Sequence, residues 1–235
     1  MIRLLQRWFV PAPVLTPQQV ERLAAWQALP AAALRSDFGK SRYVVVDVET
    51  TGLNLMADTL ISIGAVAVVD GRIALGDSFE VVLQQRESSR KENILVHGIS
   101  GTVQREGMEP AEALLAFLEF LGSSPLVAFH VTFDETMIRR ALRQYLGHTL
   151  KHPWLDLAYV MPALYPPLAY SHRVLDDWIA RFNIRIEARH NALADALATA
   201  QLLQVAQAQA RRKDISDFAG LRDLERSQRW ASGVS

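Results

Sequence analysis

Apolar residues in this chain follow two patterns: short continuous runs rich in β-branched side chains, and longer stretches where they recur every three or four positions. The first run, Tyr43-Val44-Val45-Val46, predicts a buried strand. A second strand is expected from Leu60 to Val69, closed by the hairpin signal Asp70-Gly71, and a third from about Ser78 to Leu83. Residues 85–109 read as polar and irregular. Glu109-Pro110 opens a helix whose apolar positions Leu114, Leu115, Phe117, Leu118 and Leu121 return at helical spacing. Pro125 to Phe129 is expected as a fourth strand, Asp134 to Leu146 as the helix after it, and Trp154 to Leu157 as a fifth strand. Helices are then expected over Val174 to Phe182 and from Ala192 to about Ala210. Three successive strands, then alternating helix and strand, predict an α/β fold with a mixed five-stranded sheet and helices on both sides.

Ahead of the sheet, Thr16-Pro17 combines a helix cap with a first-turn proline, and an alanine- and leucine-rich run continues to Ala33. Residues 1–41 therefore read as a helical N-terminal extension. Met1 to Val10 is apolar but broken by Arg3, Gln6 and Arg7, which fits an amphipathic docking helix better than a cleaved signal peptide.

Composition narrows the class. With 235 residues, half of them hydrophobic, the chain can bury one domain plus extensions. The absence of cysteine removes disulfides, thiolate metal sites and cysteine nucleophiles, and fits a reducing, cytoplasmic setting. No apolar stretch approaches the length of a membrane span. Net charge is zero, yet residues 1–42 carry six basic and two acidic side chains, and residues 205–235 six and four. The middle is correspondingly acidic, a balance compatible with a metal-dependent body and a nucleic-acid substrate.

Chemistry concentrates where the first strand ends, in Asp47-Val48-Glu49-Thr50-Thr51-Gly52-Leu53. Strand alternation points Asp47 and Glu49 the same way, and two carboxylates that close raise a pKa unless a cation lies between them. A hard divalent ion such as Mg²⁺ or Mn²⁺ suits such a pair; the bland alternative is an acidic pair that merely ends a strand. Asp134 follows the fourth strand, where ligand sites collect in α/β sheets, although acids also favour helix starts for dipole reasons. In His190-Asn191-Ala192-Leu193-Ala194-Asp195, Asn191 is an N-cap candidate that leaves His190 on the entering loop. Asp195 sits among alanines small enough to bring its helix close to the sheet. His190 is then available as a proton acceptor near neutral pH.

Asp47-x-Glu49-Thr50-Thr51-Gly52, Phe133-Asp134 and His190-x₄-Asp195 together resemble the DEDDh 3′–5′ exonucleases. Within them the chain looks most like the DnaQ type, represented by the proofreading epsilon subunit of bacterial DNA polymerase III. The resemblance spans residues 42–206 and leaves 207–235 as a helical or flexible C-terminal extension. It implies a ribonuclease H-like fold and two divalent ions held by Asp47, Glu49, Asp134 and Asp195, with His190 as general base. It further implies that Thr50, Thr51, Gly52 and Leu53 grip a 3′-terminal nucleotide. His97, in Val96-His97-Gly98-Ile99-Ser100, and Phe133 would lie beside the substrate strand. The implied activity is hydrolysis of single-stranded DNA from its 3′ end to nucleoside monophosphates, in proofreading or repair, with DNA favoured over RNA. An RNA 3′-end trimmer and a polymerase-docking module with little catalysis are the alternatives, and the terminal extensions leave a polymerase or other protein partner open. One departure stands out: His130 occupies the position where relatives often carry Asn. Asp156 reads as structural, Asp176-Asp177 as an exposed helix start, and Arg211-Arg212-Lys213 as a solvated helix end.

Overall fold

The computed structural model describes residues 13–186 and 189–233; the helix expected over Met1 to Val10 lies outside them. Strand β1 (Arg42–Thr50) is central in a five-stranded sheet of order β3-β2-β1-β4-β5. It pairs antiparallel with β2 (Leu60–Val69), which pairs antiparallel with β3 (Arg72–Val82). On its other side it pairs parallel with β4 (Leu126–Ala128), and β4 with β5 (Trp154–Asp156). The mixed sheet expected from the hydrophobic runs is therefore present. Strand β3 begins earlier than its apolar pattern indicated, because Asp70 and Gly71 both take positive φ and return the chain at once.

Alternation along β1 builds two cores. Val44, Val46 and Val48 pack with Leu114 and Leu118 of α4 (Pro110–Leu121) and with Ile138 and Leu142 of α5 (Val131–Leu146). Tyr43 and Val45 face the other layer. There they meet Met161 of α6 (Leu157–Leu164), Trp178 of α7 (Leu175–Arg181), Leu203 of α8 (Ala192–Arg211) and Phe218 of α9 (Phe218–Ala231). Asp47 and Glu49 continue the Tyr43–Val45 face and so belong to the α8 layer.

Several element boundaries differ from expectation. Helix α1 (Pro17–Gln27) keeps the Thr16 cap but ends before Pro30 instead of running to Ala33. Residues 85–109 contain two short helices, α2 (Lys91–His97) and α3 (Gly101–Arg105). Helix α5 starts at Val131, so Asp134 lies within its first turn. Helix α6 carries Pro162 in its interior and followed no expectation, since prolines normally mark breaks. The boundary drawn at 206/207 falls inside α8.

Both described ends pack on the body. Arg22 of α1 forks onto Glu119 at 2.7 and 2.8 Å and reaches Glu112 at 2.5 Å. Arg211, expected at a solvated helix end, pairs with Asp37 at 2.7 Å. In α9, Arg229 donates to Asp156 Oδ2 at 2.9 Å and covers the Tyr159 ring. The Asp156 side chain is only 2% exposed, so this contact compensates a buried carboxylate. Arg229→Ala leaves that charge unpaired and is expected to cost about 3 kcal/mol, read as a melting-temperature drop on the order of 5–10 °C. A drop below 2 °C would show that Asp156 is satisfied without α9.

Candidate active site

Opposite Asp47 in the β1–β2 register stands Gly64. A Cβ built there would lie 2.1 Å from the Leu193 amide nitrogen and 2.2 Å from the Ala192 carbonyl carbon. The first turn of α8 thus rests directly on the β2 backbone beside Asp47, and only glycine permits it. Asn191 caps that turn, its side chain accepting the Ala194 N–H at 2.9 Å. With the helix seated so closely, Asp195 reaches the strand, and carboxylate oxygens of Asp47, Glu49 and Asp195 lie within 4.8 Å of one another. A β-bulge follows at Glu49/Thr50, ending the regular ladder at the site.

Asp134 enters from α5, on the opposite layer, and stands outside that triad of oxygens. It is close enough to act on Asp47. Burial drives the Asp47 carboxyl well above the ordinary carboxylate range, and the charges of Asp134, Asp195 and Glu49 push it further. Burial and then Asp195 push Glu49 up to about 7. Burial raises Asp134 as well, with Asp156 and Glu49 adding to the effect against backbone amides that favour the charged form. Oxygen-only donors, mutually repelling and partly desolvated, fit a hard divalent cation.

His190 has φ of 58°, a left-handed conformation for a side-chain-bearing residue, and an exposed ring. Its backbone N–H donates to Asp195 Oδ2 at 3.0 Å, so the loop that presents the imidazole also orients the carboxylate. Arg189, to which sequence reasoning gave no role, donates through Nη1 to Asp195 Oδ1, while its Nε lies 2.7 Å from Asp176 Oδ1. Asp176, expected to face solvent at a helix start, is thereby tied to the site. His130 also has positive φ, 67°, and its N–H donates to Asp156 Oδ1 at 2.9 Å. Asn and His both tolerate left-handed backbone better than most residues, which accounts physically for His at this position.

In the Thr-Thr-Gly turn, Thr50 Oγ1 donates to Gly52 O at 2.7 Å and Thr51 Oγ1 to Asp58 Oδ1 at 2.8 Å, so both hydroxyl protons are used within the loop. Asp58 also accepts the Asn54 N–H at 2.8 Å, and a Cβ at Gly52 would meet its Oδ2 at 2.6 Å. Arg140 and Asn93 brace the loop from outside through the carbonyls of Leu55 and Thr51. What the turn offers outward is Leu53, 87% exposed. His97, expected beside a substrate strand, is buried instead: its Nδ1 accepts the Ile99 N–H at 3.0 Å and closes the end of α2. Phe133 is half-buried and packs on the core.

The shift at Glu49 sets a pH dependence. Its folded pKa of about 7 exceeds the ordinary 4.5, so the folded chain binds the extra proton between those values. Stability in chelator is then greatest at low pH and falls as pH rises through 7, by on the order of 3 kcal/mol. Asp47 acts in the same direction. Melting temperatures in EDTA should decline from pH 5.5 to 8.5, and saturating Mg²⁺ or Mn²⁺ should suppress the decline. A flat EDTA profile would mean that the carboxylates do not repel as their placement requires.

Residues 44–203 match the RNase_T family model, described as Exonuclease. The chain is 32% identical over 168 residues to a PolC-type DNA polymerase III of Thermotoga petrophila, covering 71% of this chain and 12% of that relative. It is 35% identical over 163 residues to the Clostridium perfringens counterpart, covering 69% and 11%. This chain therefore spans only about a ninth of the length of those relatives. Among solved structures, E. coli Exonuclease I in complex with a dT13 oligonucleotide superposes with a TM-score of 0.62 at 18% identity, over 74% of this chain and 42% of that one. A second Exonuclease I structure gives 0.63 at 19% identity, with the same coverage. These structures share the fold.

Proposed function

The chain belongs to the RNase_T family of 3′–5′ exonucleases, and from that premise we propose that it removes nucleoside monophosphates from the 3′ end of single-stranded DNA, using two divalent metal ions. The observation that carries this reading is the convergence of Asp47, Glu49 and Asp195 oxygens at the C-terminal end of the central strand. In the proposal these three hold one ion, and Asp134, standing apart on α5, supports the second with Asp47. Bound Mg²⁺ or Mn²⁺ would supply the charge that activates water and neutralises the leaving 3′-oxygen.

The protein's own groups do the rest. His190 takes the proton from the attacking water at a ring nitrogen; its exposed imidazole and pinned backbone support that role. Asp195 is oriented by the same residue's amide. Leu53 packs against the terminal base, held outward by a loop whose polar groups are internally satisfied. Phe133 and the Gly52 backbone border the same path. Contacts of this kind read an end and a flat base, and give little sequence preference.

Oligonucleotides of DNA and of RNA labelled at the 5′ end, incubated with Mg²⁺ or Mn²⁺, test the proposal. The expected result is a ladder shortening from the 3′ end, faster on DNA, absent in EDTA and absent with Asp47→Ala. Faster shortening of RNA would reassign the substrate. No metal-dependent shortening of either strand would overturn the proposal.

A further inference from the structure

Both carboxylate oxygens of Asp195 have a partner within the protein. Its Oδ2 accepts the His190 N–H and its Oδ1 accepts Arg189 Nη1. The Asp195 side chain is 7% exposed and that of Arg189 31%, so the contact is partly shielded from water. Through its Nε the same guanidinium pairs with Asp176, linking α7 to α8. Arg189 is therefore placed as the counter-ion of Asp195, with Asp176 as its second acidic partner.

Two cations cannot share one carboxylate cluster without repulsion. We propose that Arg189 is the protein's own stand-in for a divalent ion: it holds Asp195 until the ion binds, and leaves Oδ1 as the ion takes that carboxylate. Asp176, 65% exposed at the rim, gives the displaced guanidinium an acidic partner to remain on. Metal loading is then an exchange of cations, and the arginine lowers apparent metal affinity while protecting the fold from carboxylate repulsion. This inference rests on the metal-centre reading above.

The full chain and its Arg189→Gln variant are compared by melting in EDTA and in saturating Mg²⁺, and by Mg²⁺ titration calorimetry. The ¹⁵N-labelled arginine Nε–H resonances are followed through the same titration in wild type. The variant is expected to melt lower in EDTA but level with wild type in Mg²⁺. It should bind Mg²⁺ on the order of tenfold tighter, since apparent affinity scales with the competent fraction. In wild type the Arg189 resonance, assigned by its loss in the variant or in Arg189→Lys, should shift in step with metal occupancy. An equal melting deficit with and without Mg²⁺, unchanged affinity and an unmoved resonance would make Arg189 a permanent strut and overturn the proposal. Mg²⁺ binding by neither protein would overturn the metal centre itself, and this inference with it.

Discussion

Asp47→Asn is expected to lower kcat/KM by about 10³-fold or more and, in chelator, to raise the melting temperature. Both effects follow from one feature. Asp47 is a half-buried carboxylate surrounded by the charges of Asp134, Asp195 and Glu49, all of which work against its ionisation. Ionised, it destabilises the fold; in the proposed metal centre it is the shared ligand and has no substitute. The asparagine keeps the shape and one oxygen but removes the negative charge that would hold a divalent ion. Repulsion falls, and so does metal affinity. End-labelled DNA digestion measures the first effect, and melting in EDTA the second. A variant that loses activity but melts lower than wild type in EDTA would show that Asp47 is compensated in the fold, contrary to its surroundings. This opposition of stability and function is what a built active site predicts.

The acidic strand was readable because its logic is local. Strand period two places Asp47 beside Glu49, and β-branched neighbours fix the strand as buried. Asp195 was readable for a related reason, because a lone acid in an alanine helix needs a partner. Other parts depend on contacts that no short window contains. Arg189 shows its second partner only because α7 brings Asp176 to it. The Thr51 hydroxyl is held within its loop by Asp58, seven residues further along the chain. His97 carries a family-like pattern, yet its ring is consumed in ending a two-turn helix within a stretch that lacks helical periodicity. Helix α6 was hidden by Pro162, which the local sequence marks as a break but the packing of Val160, Met161 and Leu164 overrides. Helix α9 matters to the body through Arg229 and Asp156, a pairing across 73 positions.

Gly64 is the residue whose importance the sequence conceals most. It sits mid-strand, between Ile63 and Ala65, where glycine ordinarily weakens a sheet by about 1 kcal/mol. Its neighbours in space explain it: the backbone of Ala192 and Leu193 occupies the volume a side chain would need. The obstacle is main chain, which cannot rotate away, so Gly64→Ala must lift the first turn of α8 from the sheet. That turn carries Asn191, Asp195 and the loop bearing His190. A displacement near 1 Å at the proposed metal-holding carboxylates is expected to reduce kcat/KM by about 10²-fold, with metal affinity falling in parallel. Overpacking should cost about 1–3 kcal/mol, leaving a folded protein with a modestly lowered melting temperature. Gly76→Ala is the control, since an added Cβ there meets nothing within 4 Å and should leave both measurements unchanged. Full activity in Gly64→Ala would mean that α8 can move without moving Asp195. The close seating of the helix would then not be what assembles the site.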